Sequence, residues 1–132
     1  MNITYKINTP LEAAEVAEIF ISSGIKRPVD DLDRIEKMIQ HADILVSAWD
    51  GDQPVGIARA ITDFAYCCYL SDLSVRQDYQ KLGIGKGLVN VVHEHIGEEV
   101  MLLLLAAPAA MEYYPKIGFD KLDNAFMIPK LR

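Results

Sequence analysis

A chain of 132 residues carrying a net charge of −6 is long enough to bury one core. It is too acidic to offer the clustered cations that a nucleic-acid backbone demands. Its 51% hydrophobic and 24% charged content is that of a soluble globular protein, and the longest apolar run, Val100 to Ala110, is too short to span a bilayer. The two cysteines, Cys67 and Cys68, are neighbours, and the histidines (His41, His93, His95) are scattered, so neither a disulfide nor a metal site is expected. The N-terminus lacks a basic stretch followed by an apolar segment, which makes the cytoplasm the default location. One domain over residues 1–132 is expected.

The first strand is predicted over Asn2 to Ile7. Thr9-Pro10-Leu11-Glu12 then combines a capping residue, a proline at the first helical position and a capping-box glutamate. Ala13, Val16, Ala17 and Phe20 follow at helical spacing, and Gly24 ends the helix. A second amphipathic helix turns Leu32, Ile35 and Ile39 inward. Ile44–Trp49 and Val55–Ile61 flank the turn signal Asp50-Gly51-Asp52, and Tyr66–Val75 reads as a long strand. After the polar stretch Arg76–Leu82, a helix from about Ile84 to His95 buries Ile84, Leu88, Val91 and Val92, and Gly97 ends it. Met101–Leu105 is uniformly apolar, as a central strand covered on both sides would be. A short helix near 109–114 and strands near Phe119–Leu122 and Ala125–Pro129 complete the order. The fold class is α+β: a mixed, mostly antiparallel sheet with helices on both faces, layered α/β/α.

Gly83, Gly85 and Gly87 stand at alternate positions where a connector becomes a helix. Free N–H groups and the helix dipole then converge on one point, and the small residues let a ligand approach the backbone. A phosphate or diphosphate suits that point, with Gln80, Lys81 and Lys86 adding donors and positive charge. A Walker loop requires Ser or Thr after the lysine, but Gly87 follows Lys86. A dinucleotide fingerprint requires the glycines directly after a strand and an acidic end to the next one, but Ala106-Ala107-Pro108 stands there. The remaining structural reading is that the glycines only let the helix pack closely.

Leu73-Ser74-Val75 followed by Tyr79-Gln80-Lys81-Leu82-Gly83-Ile84-Gly85 resembles the acetyl-CoA signature of the GCN5-related N-acetyltransferases. Tyr113-Tyr114-Pro115-Lys116-Ile117-Gly118-Phe119 is similar to a second segment of that family, in the same order and separation, and the element order matches the family's fold. The resemblance implies acetyl-CoA as co-substrate, no metal, and a small-molecule primary amine as acceptor. It implies that the backbone of Leu73, Ser74 and Val75 holds the pantetheine arm. The diphosphate would lie on N–H groups of Gln80, Lys81, Leu82, Gly83, Ile84, Gly85 and Lys86. The Leu73 N–H would stabilise the oxyanion, and Tyr114 would act as general acid toward the departing thiolate. Tyr113 is expected in the core.

The base is less legible. Tyr69-Leu70-Ser71-Asp72-Leu73-Ser74-Val75 looks like the polyamine-acetylating branch, yet Ser71 replaces the glutamate often assigned as base. Asp72 is the catalytic candidate that remains, acting through a water or holding a cationic acceptor; a hydrogen-bonded strand carboxylate is the alternative. Pro115 is expected to end the last helix at or before Tyr114. The acidic balance favours a cationic acceptor, and a homodimer is compatible with the sequence; neither a nucleic acid nor a membrane is an expected partner. A non-catalytic acyl-CoA-binding module on the same fold is the competing reading, motivated by the missing base.

Overall fold

The computed structural model covers residues 1–132. Five strands pair in chain order: β1 (Ile3–Ile7), β2 (Ile44–Asp50), β3 (Gln53–Thr62), β4 (Cys67–Val75) and β5 (Met101–Leu104). The first four are antiparallel, whereas β5 runs parallel to β4. A parallel neighbour needs a crossover, and the helix α3 (Ile84–Ile96) supplies it. Two further helices, α1 (Ala13–Ser23) and α2 (Leu32–Gln40), cover the other face.

Alternation along the strands divides the core in two. Val46, Ala58 and Leu70 pack with Leu88 and Val92 beneath α3, whereas Leu45 and Ile57 pack with Ile19, Phe20 and Ile35 beneath α1 and α2. The middle of the sheet is therefore buried on both faces, as an α/β/α sandwich requires. Local signals act where expected. Gly24 closes α1 in the left-handed region (φ 84°) and its N–H returns to the carbonyls of Phe20 and Ile21. Gly97 follows α3, and Gly51 (φ 60°) turns the β2–β3 hairpin.

Four expectations are corrected. α1 begins at Ala13, with Glu12 as its uncapped first boundary, so Thr9 and Pro10 precede the helix. Two tertiary anchors hold that stretch extended: the Asn8 side chain accepts from the Leu45 N–H at 2.8 Å, and Leu11 is buried. Leu32 is exposed, leaving Ile35 as the fully buried residue of α2. The strand Met101–Leu104 is an edge rather than a centre, and its outermost residue Met101 is half exposed. Finally, residues 119–132 form no strand. A strand exists only as one side of a ladder, and the chain end is drawn instead to α2, where the Arg132 carbonyl accepts from Arg34.

Candidate active site

The site begins with a break in the sheet. β4 and β5 pair only from Cys67–Met101 to Leu70–Leu104, so β4 continues to Val75 without a strand on its outer side. The polarity of that free edge follows from one bond. The Arg76 N–H donates to the Val55 carbonyl at 2.8 Å, and opposite residues of an antiparallel ladder alternate between bonded and unbonded pairs. Ser74 and Asp72 therefore point their amides at β3, opposite Ile57 and Arg59. Leu73 and Val75 point theirs outward. The Val75 carbonyl is taken by the Gln80 carboxamide at 2.9 Å, and the Leu73 peptide group faces the gap. A bulge reinforces the opening: Arg59 pairs with Asp72 but Ala60 with Leu70, leaving Ser71 as the extra residue.

The gap ends at the N-terminus of α3. Left-handed backbone at Lys81 (φ 64°) and Gly83 (φ 84°) turns the connector into the helix. The first helical bond runs from the Gly87 N–H to the Gly83 carbonyl at 3.0 Å, so the N–H groups of Ile84, Gly85 and Lys86 lie ahead of the ladder. No side chain caps this end and no acidic residue occupies its first turn. Lys81, Leu82, Gly83 and Lys86 are exposed around it. An anion is the natural complement of such a terminus.

The three alternate glycines have three different reasons. Gly83 is required by its dihedral. At Gly85 a Cβ would stand 3.1 Å from the Tyr113 hydroxyl, so the short helix α4 (Tyr113–Lys116) closes over the start of α3. At Gly87 a Cβ would collide with the Tyr5 hydroxyl of β1. That third glycine serves close packing of helix on sheet, the structural reading the spacing had left open.

Tyr113 and Tyr114 stand edge to face at 5.2 Å, and Tyr114 does the same with Phe119 at 5.5 Å. Tyr113 is exposed at 38% rather than in the core. α4 also runs through Pro115, which its place in the first turn allows because that N–H has no helical acceptor to lose. Burial raises both phenols above their ordinary value of 10.0, with the neighbouring Tyr113 adding to the effect at Tyr114. Both are fully protonated at neutral pH.

Asp72 and Ser74 occupy the opposite face, beneath α1 and α2. The Ser74 hydroxyl is bonded to the Ser23 hydroxyl at 2.5 Å, so this residue serves the α1–β4 contact. The Asp72 carboxylate, fully buried, accepts from the Arg27 Nε on one oxygen and the Arg59 Nε on the other, both at 2.5 Å. Arg27 donates further to the Ser71 carbonyl at 2.7 Å and Arg59 to the Ser71 hydroxyl at 3.0 Å. Both oxygens of the carboxylate are thus taken by guanidinium donors, so its geometry is that of a positioning residue. Sequence reasoning missed both arginines; they lie 45 and 13 residues from Asp72, and no local spacing connects them.

A mixed sheet split between β4 and β5, followed by an uncapped helix N-terminus, is the frame of an acetyltransferase of the GNAT class. The comparisons agree: the acetyltransferase (GNAT) domain family matches residues 13–128. The chain belongs to that family. An uncharacterised N-acetyltransferase from Porphyra purpurea is 28% identical over 127 residues, spanning 88% of this chain and 71% of its own. A probable acetyltransferase of unknown function from meticillin-resistant Staphylococcus aureus superposes with a TM-score of 0.84 at 22% identity, covering 98% of this chain and 99% of that one. A GNAT-family acetyltransferase from Streptococcus pneumoniae TIGR4 gives 0.78 at 25% identity, with 99% of each chain covered.

Proposed function

We propose that this protein transfers the acetyl group of acetyl-CoA to the primary amine of a small acceptor. The observation that carries the reading is the pairing of an uncapped α3 N-terminus with the outward-facing Leu73 peptide on the unpaired half of β4. The donor set fits the co-substrate. The N–H groups of Ile84, Gly85 and Lys86, with backbone from Lys81 to Gly83, hold the diphosphate, and Lys81 and Lys86 add charge. The peptide groups of Leu73 and Val75 run beside the pantetheine arm. Gln80 contributes indirectly, because its side chain is spent on bracing Val75. Ser74 keeps the strand aligned rather than touching the arm.

When bound, acetyl-CoA supplies a thioester carbonyl to a neutral amine: the C–N bond forms, the C–S bond breaks, and the amine proton leaves to water. The Leu73 N–H, free on the open edge of β4, is the donor that would stabilise the charge developing on the carbonyl oxygen. Tyr114 gives its proton to sulfur and recovers one from solvent; its raised pKa keeps that proton available across the physiological range. Asp72 fixes the bulge at Ser71 through the two arginines, and so fixes the aim of Leu73.

The test is thiol release from acetyl-CoA with a panel of primary amines, run beside thermal stabilisation by CoA. Tyr114→Phe should lower kcat by about a hundredfold to ten-thousandfold and leave the CoA stabilisation intact. Unchanged turnover would remove Tyr114 from the reaction. Stabilisation by CoA without turnover on any amine would support the binding-module reading, which the clamped state of Asp72 favours; no stabilisation would end both.

A further inference from the structure

Resting on that proposed acyl transfer, we infer that the acceptor is an amine carrying a carboxylate or other anionic group a few bonds from its nitrogen, held by Arg59 and Arg27. The cofactor side of the split belongs to α3, so the acceptor reaches the Leu73 position from the opposite face. That face carries Ser71, Arg59 and the α1–α2 connection bearing Arg27, above the buried Asp72. Two guanidinium groups share one carboxylate there, and no other acidic side chain pairs with either of them. The cluster therefore carries one uncompensated positive charge. Arg59 keeps only 11% of its side chain exposed and Arg27 25%. A net positive charge only partly reached by water is a favourable place for an anionic partner.

Spare donors point the same way. Arg27 spends three N–H groups on Asp72, the Lys26 carbonyl and Ser71. Arg59 spends its Nε and one terminal nitrogen on Asp72 and Ser71. Its other terminal nitrogen bonds to nothing in the protein, yet no buried side-chain nitrogen or oxygen lacks a partner. That nitrogen is therefore open to solvent from an otherwise enclosed side chain, and a charged N–H donor of this kind can hold a carboxylate oxygen.

Distance sets the substrate class. Both arginines bond to Ser71, and Leu73 is two residues further along the strand, about 7 Å at the usual rise. An anion at the arginines and an amine at the thioester can then belong to one molecule only if a few bonds separate them, as in an amino acid. The chain's net charge of −6 favoured a cationic acceptor, but that acidity is spread over the chain and is reversed at this point.

The experiment compares α- and β-amino acids with their matched carboxamides and with simple diamines. It reads kcat/KM with acetyl-CoA and, separately, calorimetric binding to the CoA-saturated protein. Carboxylate-bearing amines should lead their carboxamides by about tenfold to a hundredfold, the range of a charge-assisted hydrogen bond. The carboxamide is the less basic amine and more of it is neutral near pH 7, so intrinsic reactivity works against the expected result. Arg59→Gln should shrink the preference to within about threefold; because Arg59 also braces Ser71, carboxylate and carboxamide are compared within the variant at saturating CoA, so that any loss common to both cancels. Equal or better use of carboxamides or diamines overturns the inference, as does an Arg59→Gln variant, folded by circular dichroism, that retains the full preference. Preferential calorimetric binding of carboxylates without turnover would uphold the anion site and refute the transfer reaction. Absence of both binding and turnover for carboxylate-bearing amines would refute the anion site.

Discussion

Asp72→Asn separates a clamp from a base. The carboxamide keeps the shape of the side chain, and its oxygen can still accept from Arg27 or from Arg59. Its nitrogen must then face the other guanidinium, donor against donor. The charge consequence is larger. In the native protein a fully buried carboxylate answers two guanidinium groups at 2.5 Å each; in the variant both positive charges remain and the negative one is gone. Breaking a buried pair by removing one partner costs about 3–5 kcal/mol. Partial exposure of Arg27 (25%) lets water screen part of that charge, which places the expected loss near about 3 kcal/mol. For a chain of this size that corresponds to roughly 10 °C in Tm, a large share of the 5–15 kcal/mol that holds a typical domain together.

The assay is urea unfolding followed by circular dichroism, with kcat measured on the folded fraction. The double variant Asp72→Asn with Arg59→Met should recover part of the loss, because it removes one of the two orphaned charges. A general base would behave oppositely. If Asp72→Asn unfolds within about 0.5 kcal/mol of the native protein and loses kcat by a hundredfold or more, the clamp is refuted and Asp72 returns to the chemistry.

Gly87→Ala gains about 1 kcal/mol of helix propensity but drives a methyl into the Tyr5 hydroxyl. The net should be a loss of about 1–2 kcal/mol, partly relieved in combination with Tyr5→Val, which removes the ring as well as the hydroxyl, and read from the urea midpoint. Asp63 accepts from the N–H groups of Ala65, Tyr66 and Cys67 at 2.9, 2.8 and 3.1 Å, which holds its carboxyl below the ordinary 3.8. Its folded pKa is depressed, so the order it lends the β3–β4 turn is complete above pH about 4 and lost as pH falls through the folded value. Protection of those three amides, relative to their intrinsic exchange at each pH, should fall there, and Asp63→Asn should weaken that pH dependence. Of the two thiols, Cys67 is exposed, while burial encloses Cys68 and raises its pKa. Alkylation of the folded protein near pH 8 should therefore label Cys67 first, and equal labelling by peptide mass mapping would contradict the strand's facing.

The parts of the fold legible in sequence are those fixed within a few residues. Gly24, Gly51 and Gly97 mark their turns because the backbone needs a left-handed or unhindered residue at those points. Phe20 and Leu88 mark helix faces by spacing alone. The errors fall where distant partners decide. Thr9 and Glu12 could begin a helix in isolation, but Asn8 is tied to Leu45 and Leu11 to the core. Phe126 and Ile128 have a strand's alternation yet remain almost fully exposed, since a pattern of side chains supplies no ladder partner. Met101–Leu104 has the composition of a central strand, but no residue within it records that the sheet ends there.

The same division runs through the site. An anion cradle of the kind proposed is made of backbone, so it must be written locally, in residues that permit left-handed dihedrals; Gly83 carries that record, whereas Gly85 and Gly87 record close packing. Recognition of the acceptor is made of side chains, and these can come from anywhere that folding brings together. Arg27 lies in a connection between helices, Arg59 in the middle of one strand and Asp72 in the next. Each reads as an ordinary charged residue until the register Arg59–Asp72 and the α1–β4 packing are known. Their joint charge, two positive against one negative, exists only in the fold. The acceptor's chemistry is therefore to be sought in that local excess rather than in the chain's overall acidity.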